Sequence, residues 1–482
     1  MTAAGGRDAM ADGSPGAGAR PAAETDFTGF DALVAERLPA WTAELVEFLR
    51  IPSEGGDEAN LRAAADWMAD RLRHAGATVE VIEAGGVPPL VVGELGDGPR
   101  TINAVQHYDV QPAAPLDLWT TPPYAPAIRD GRVWARGATD NKGELLPRLW
   151  ALEAYRDAIG PLPCRVRFLV EGQEETGSNA LDALLDLRPH LRDADAALIE
   201  GGDLDLAGRP GIQGGGKGIV VLELHLRTLA HDAHSSVSVL LPNAGHRMVQ
   251  ALATFWDADG RPAIEGLDAG KRAPTPAQLA SLATLDLRQL EDIRTDWGVD
   301  RFLGGLDGAA ALEALTFETT LNLQGLWAGH TEPVPKTVTP AEAHARLDIR
   351  IVPDQRPAAM VEAVRRHLDR HGFRDVEIIM REGEPAWWTP PDHVVLATAA
   401  RVSSEVAGQA ATIGVSMAGT VPMAQVCERH RVPATTLGAG RTDCRAHAPD
   451  ENIRIDDLAA AARMMGRFVD ALARLAEVPK VP

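Results

Sequence analysis

Residues 165–178 read RVRFLVEGQEETGS, and this stretch decides the fold. An apolar run of this length, closed by a Gly-Ser turn, reads as a strand buried on both faces. It runs directly into Glu171, Glu174 and Glu175. Carboxylates crowded at the end of a buried strand repel one another and are costly to desolvate, and a bound cation offsets that cost. A solvated acidic loop is the structural alternative, less natural straight after so apolar a strand.

Outward from this stretch the same arrangement recurs. TINAVQHYD, 101–109, is a strand ending in His107 and Asp109, which at two-residue spacing project from one face. An imidazole beside a carboxylate that can orient it is half of a metal site, or else a surface pair. RGATDNKGE, 136–144, sets Asp140 in a glycine-flanked turn before a helix from about Lys142, where it faces a cation or caps the helix. AALIE, 196–200, ends in Glu200, with Asp203 three residues on, and GAGRTDCRAHAPDE, 438–451, presents His447 in a loop after the strand-like ATTLGAG. Ligands gathered from successive strand ends are how an open α/β sheet builds a site at its carboxyl edge.

Strands alternate with helices, beginning with amphipathic helices over about 30–49 and 59–74. The expected fold is therefore an α/β sandwich around a mostly parallel or mixed sheet. From residue 214 the texture changes: GGGKG opens the alternating strand GIVVLELHLRT, and an Ala- and Leu-rich helical stretch runs to about 315. Strand-like LTFETTLNLQGL (315–326) and EAHARLDIRIV (342–352), a helix over 358–371 and a strand over 375–381 follow, before the turn-rich EGEPAWWTPPDH. The expected organisation is a flexible tail over 1–26, a catalytic domain over 27–213 and 391–482, and a smaller α/β domain inserted over 214–390.

The 482 residues carry 47 Lys+Arg against 68 Asp+Glu, a formal charge of -21. An electrostatic grip on nucleic acid or an anionic membrane would have to overcome that field, so neither is expected as a partner. No run of about 18 apolar residues exists to span a membrane, and the Ala/Gly-rich start lacks the apolar core of a signal peptide. Three scattered cysteines, Cys164, Cys427 and Cys444, build no disulfide framework and suit a reducing compartment, so a soluble cytoplasmic protein is expected.

The motifs HYD, GATDNKG, EGQEETGS and AHAPDE, in that order, resemble the co-catalytic di-zinc peptidase and aminoacylase family. That family includes carnosinase-type dipeptidases, glutamate-releasing carboxypeptidase, acetylornithine deacetylase and succinyl-diaminopimelate desuccinylase. The resemblance spans essentially the whole chain after the tail and implies a zinc-binding α/β domain interrupted by a smaller lid that dimerises. It implies His107 as ligand of one zinc, oriented by Asp109; Asp140 as the bridging ligand, its bond to Asn141 a cis peptide; Glu174 as general base; Glu175 and His447 as ligands of the second zinc. Glu200 is implied as the remaining ligand, with Asp203 a competitor. Two Zn²⁺ per chain, with Mn²⁺ or Co²⁺ as substitutes, would acidify a shared water and hold the scissile carbonyl. In HDAHSS, His234 matches the lid histidine that stabilises the oxyanion, often from the partner subunit, whereas His231 reads as structural. Arg350 in IRIVP matches a grip on a substrate carboxylate, and Thr337 in KTVTP and Thr420 in AGTVP match substrate-pocket positions. AGTVP and Asn141 depart from commoner spellings, which leaves substrate choice open.

The implied reaction is hydrolysis of a dipeptide or related small peptide by a homodimer. An N-acyl-amino-acid deacylase is the alternative within the family, and a non-catalytic peptide-binding homologue is the alternative outside catalysis. GIQGGGKG, 211–218, mimics a phosphate-binding loop, but Gly218 replaces the required hydroxyl residue and a strand follows instead of a helix. Its glycines read better as an interdomain hinge. Cys444 near His447 is no nucleophile, because the acidic surroundings would raise its pKa.

Overall fold

The computed structural model describes residues 24–482. Of the tail expected over 1–26, residues 1–23 lie outside the described residues, and Thr25 donates its hydroxyl to Asp470 at 2.8 Å. A six-stranded mixed sheet runs in the order Thr78–Ile82, Leu90–Leu95, Arg165–Glu171, Thr101–His107, Ala196–Ile199, Ala434–Thr436. The first two pairings are antiparallel and the other three parallel.

Alternation along the strands explains why they are apolar throughout. Val166, Phe168 and Val170 pack into a core with the helices Thr28–Leu49, Lys142–Ala158 and Ile455–Ala473. Leu169, between them, points the other way into a core with Leu181, Leu184 and Val426. The sheet is thus covered on both faces, as parallel pairing requires. Its four parallel strands direct their carboxyl ends, and so His107, Glu171 and Glu200, to one edge.

A second, antiparallel sheet has the order Asn322–Ala328, Glu342–Ile351, Gly218–Arg227, Glu377–Glu384. Leu222, Leu224, Ala345 and Leu347 turn to the helices Ala244–Leu252 and Pro357–Arg370, while Glu223, His225, His344 and Arg346 form the opposite, polar face. The chain enters and leaves this layer side by side: Gly215 pairs with Trp388 and Gly216 with Trp387. A Cβ on Gly218 would lie 2.2 Å from the carbonyl oxygen of Glu384, so only glycine lets the two crossing segments approach.

Three local expectations change. LTFETTLNLQGL is not one strand: Leu315–Phe317 complete the helix Gly308–Phe317, and the strand is Asn322–Ala328. The preceding GAAALEAL is rich in strong helix formers and carries the helix onward. The strand expected over 375–381 runs from Glu377 to Glu384, because Glu382–Glu384 keep pairing with Ile219–Val221 beyond a bulge. The Ala/Leu-rich stretch breaks into four helices, of which Pro276–Leu282, Arg288–Asp296 and Gly308–Phe317 form their own small core with Val415 and Trp388. The GIQGGGKG segment leads into the strand Gly218–Arg227, which leaves no helix N-terminus for a phosphate.

Candidate metal and catalytic centre

His107 closes its strand and is fully buried, as is Asp109. The His107 ring lies with Nδ1 3.0 Å from the Asp109 carbonyl oxygen and 3.3 Å from its Oδ1. The Asp109 carboxylate also accepts the backbone N–H groups of Glu174 at 3.3 Å and Glu175 at 3.1 Å. One buried carboxylate therefore orients an imidazole and pins the turn carrying both glutamates.

Asp140 does not cap the following helix, whose N-cap position is Asn141. The Asp140–Asn141 peptide is cis. The two oxygens of Asp140 diverge, Oδ1 to His107 Nε2 at 3.1 Å and Oδ2 to His447 Nε2 at 3.0 Å. Glu200 Oε2 lies 2.8 Å from His107 Nε2, and Glu175 Oε2 lies 3.2 Å from His447 Nε2. Two sets of one histidine and one carboxylate thus share Asp140. Glu174 joins the His107 and Glu200 side, its ligand atom within 4.8 Å of theirs. Asp203 does not meet either ring; its side chain faces Gly440, and burial together with the nearby Asp140 charge pushes its carboxyl up to about 6.

Burial and crowded carboxylates make the cluster favour added positive charge. Burial, then the charge of Glu200, holds the Glu174 carboxyl well above its usual range. Burial alone would depress His107, but Glu200, Asp109 and Asp140 together hold it well above an ordinary histidine. Hydrogen bonds that its ring donates to Asp140 and Glu175 push His447 up to about 10. Nitrogen–oxygen separations of 2.8–3.2 Å suit donors around one small cation, since ligand distances of about 2.0–2.2 Å set tetrahedral donors roughly 3.3 Å apart. Mixed imidazole and carboxylate donors fit zinc, manganese or cobalt.

The remaining candidates lie elsewhere. His234 is exposed on the two-residue bridge Ala233–His234, its Nδ1 2.8 Å from Ser236 Oγ, and among the described residues it has no hydrogen bond to the cluster. Thr337 is its neighbour across that turn, its carbonyl accepting Ser235 N–H at 3.1 Å. Arg350, on the second sheet, donates to Thr420 Oγ1 at 2.6 Å, which ties that sheet to the loop of the first layer.

Three supporting roles escaped the sequence reading. Gln111 donates its backbone N–H to Glu175 Oε1 at 3.0 Å and its side chain to Oε2 at 2.9 Å. Its signal was available, since 107, 109 and 111 continue one two-residue alternation. Fully buried Glu451 accepts from the N–H groups of Gly137, Thr139 and Asp140 and from Arg136 Nη1 at 2.7–3.0 Å. Asn141 donates to Glu200 Oε2 at 2.9 Å.

The chain matches Peptidase family M20/M25/M40 over residues 105–471. It is 26% identical to the Beta-Ala-His dipeptidase of Rattus norvegicus over 435 residues, 86% of this chain and 88% of that one. It is 24% identical to the Cys-Gly metallodipeptidase of Schizosaccharomyces pombe over 467 residues, 92% and 97% of the respective chains. The M20 family metallo-carboxypeptidase Sso-CP2 of Sulfolobus solfataricus superposes with a TM-score of 0.85 at 31% identity, covering 90% of this chain and 99% of that one. Human carnosine dipeptidase 1 superposes at 0.78 with 25% identity, over 93% and 99%. With two histidine–carboxylate sets at the carboxyl edge of the sheet and this extent of similarity, the chain belongs to Peptidase family M20/M25/M40 and is a metallopeptidase.

Proposed function

We propose that the protein is a di-zinc dipeptidase in which Glu174 is the general base. The observation carrying this reading is that Asp140 joins two histidine–carboxylate sets, His107 with Glu200 and His447 with Glu175, while Glu174 stands beside His107 and Glu200 with no ion pair to a histidine among the described residues. The long matches to a Beta-Ala-His and a Cys-Gly dipeptidase support a small peptide as substrate. A 114-residue match at 37% identity to a succinyl-diaminopimelate desuccinylase supports an N-acyl amino acid as second substrate class, over 24% of the chain.

Two divalent cations, zinc with manganese or cobalt as substitutes, would supply an acidified water and a polarised carbonyl. Glu174 takes the proton of the attacking water on its carboxylate and returns it to the leaving amine. Asp109 holds His107 and the Glu174–Glu175 turn in register for this. Arg350 grips the substrate carboxylate, a task suited to a guanidinium fork, with Thr420 fixing one of its nitrogens. Thr337 lines the substrate pocket, and His234 donates to the oxyanion.

Residues 214–390 form the inserted lid, and it dimerises. Support comes from the edge strand Asn322–Ala328, which exposes Leu323, Leu326 and Trp327, and from Val239 and Leu240, 88% and 79% exposed just beyond His234. A partner covering that surface would let His234 act across the interface. Three free, buried cysteines support a cytoplasmic location, and no described helix is long and apolar enough to cross a membrane.

Glu174→Gln tests the reading. The variant should bind its metals as the wild type does and lose turnover by about 10²–10⁴-fold; hydrolysis at the wild-type rate would remove Glu174 from the role.

A further inference from the structure

The polar face of the lid sheet carries a second group of metal-type donors, far from the first in the chain and on a different sheet. His225 and His344 sit directly opposite each other on Gly218–Arg227 and Glu342–Ile351. Their rings stack with centroids 4.6 Å apart at 19°. Trp327, opposite His344 on the next strand, stacks on the far side of His344 at 5.2 Å and 6°. Glu342, two residues before His344 and so on the same face, brings Oε2 to 3.8 Å from both His225 Nε2 and His344 Nε2. Its other oxygen is held by Arg227.

The hydrogen bonding leaves this group unfinished. His225 Nδ1 faces Glu377 Oε2 at 3.4 Å. A proton on that Nδ1 leaves Nε2 with a bare lone pair, and Nε2 is buried with no hydrogen-bond partner among the described residues. Nitrogen and carboxylate oxygen then face each other as two acceptors. A shared cation resolves this, and the outer Glu377 is the carboxylate that commonly fixes a ligating histidine.

We propose that His225, His344 and Glu342 form a third metal site, for a zinc-class divalent ion, on the open face of the lid. Convergence on one ion needs the 3.8 Å separations closed to the roughly 3.3 Å of tetrahedral donors and the two stacked rings turned about their Cβ–Cγ bonds so that both Nε2 lone pairs point at it. Two imidazoles and one carboxylate select zinc, cobalt, nickel or copper over calcium or magnesium. The fourth position is left to water. The site joins the two strands at the end where Gly218–Arg227 continues into the segment bearing His231 and His234, and Asp232 there accepts the Ala341 N–H at 3.0 Å. A metal here stiffens the base of that segment without entering the reaction.

The test is zinc bound per chain, measured by equilibrium dialysis of the chelator-stripped full chain followed by elemental analysis. His225→Gln/His344→Gln should bind one zinc fewer than the wild type, and His107→Gln/His447→Gln should still retain one. Cobalt added to the latter should give visible d–d absorption that vanishes when His225 and His344 are also replaced. Glu377→Gln, which leaves every ligand in place, should weaken the site by about 10–100-fold. Zinc binding by His225→Gln/His344→Gln equal to wild type, or no cobalt absorption in the His107→Gln/His447→Gln chain, overturns the proposal. Failure of the catalytic reading is a separate result, seen as no zinc lost from His107→Gln/His447→Gln.

Discussion

Glu174 and Glu175 are neighbours with different surroundings. Glu175 faces His447 at 3.2 Å and receives two bonds from Gln111, whereas Glu174 stands beside His107 and Glu200 with its proton affinity raised by burial. Glu175→Gln should therefore lower metal content itself, measured by elemental analysis, in contrast to Glu174→Gln. Glu451→Ala would strand the buried Arg136 guanidinium and three backbone N–H groups. Removing one partner of a buried ion pair costs about 3–5 kcal/mol, so chemical denaturation should register a loss of that size. The cluster residues were legible because they stand at or just beyond strand ends or, like Asp140 and His447, in the turns and loops between elements, where chemistry-bearing types stand out. Glu451 was not, because its work is done through backbone N–H groups three hundred residues away, and nothing in a sequence marks which amides a carboxylate will receive.

At the scale of elements, the paired crossing between layers is where burial and charge conflict. Glu384, last residue of the strand Glu377–Glu384, is buried and accepts from Gln425 Nε2 at 2.7 Å. Burial pushes its carboxyl up to about 7 from 4.5. The folded chain thus holds a proton that the unfolded chain releases, so this group's contribution is fully present below about 4.5 and is lost as pH rises through about 7. Glu384→Gln removes the titration. It should stabilise the protein relative to wild type above neutrality by up to about 3 kcal/mol and much less in acid, as melting profiles across that range would show. A variant whose advantage is the same at both ends would contradict this account. The strands of the first sheet were readable from apolar runs buried on both faces. The helices Pro276–Leu282 to Gly308–Phe317 were blurred, since their core with Val415 and Trp388 forms only after the chain has crossed twice.

At the scale of the molecule, the histidine–carboxylate cluster and His234 belong to different layers, and among the described residues no hydrogen bond joins them. If the lid brings His234 to the partner's cluster, mixing inactive Glu174→Gln and His234→Ala chains under subunit exchange should restore hydrolysis, because the hybrid contains one complete site. Leu326→Glu/Trp327→Glu, on the exposed edge strand, should yield monomers by light scattering and abolish that rescue. The central claim is that the histidine–carboxylate cluster is a metal centre that hydrolyses small peptides. Its most direct test is release of free amino acid from a panel of dipeptides, followed alongside metal content through chelation and reconstitution. The account predicts that release falls with the metal removed and returns with zinc or manganese. Release that continues undiminished from a metal-free chain would contradict it.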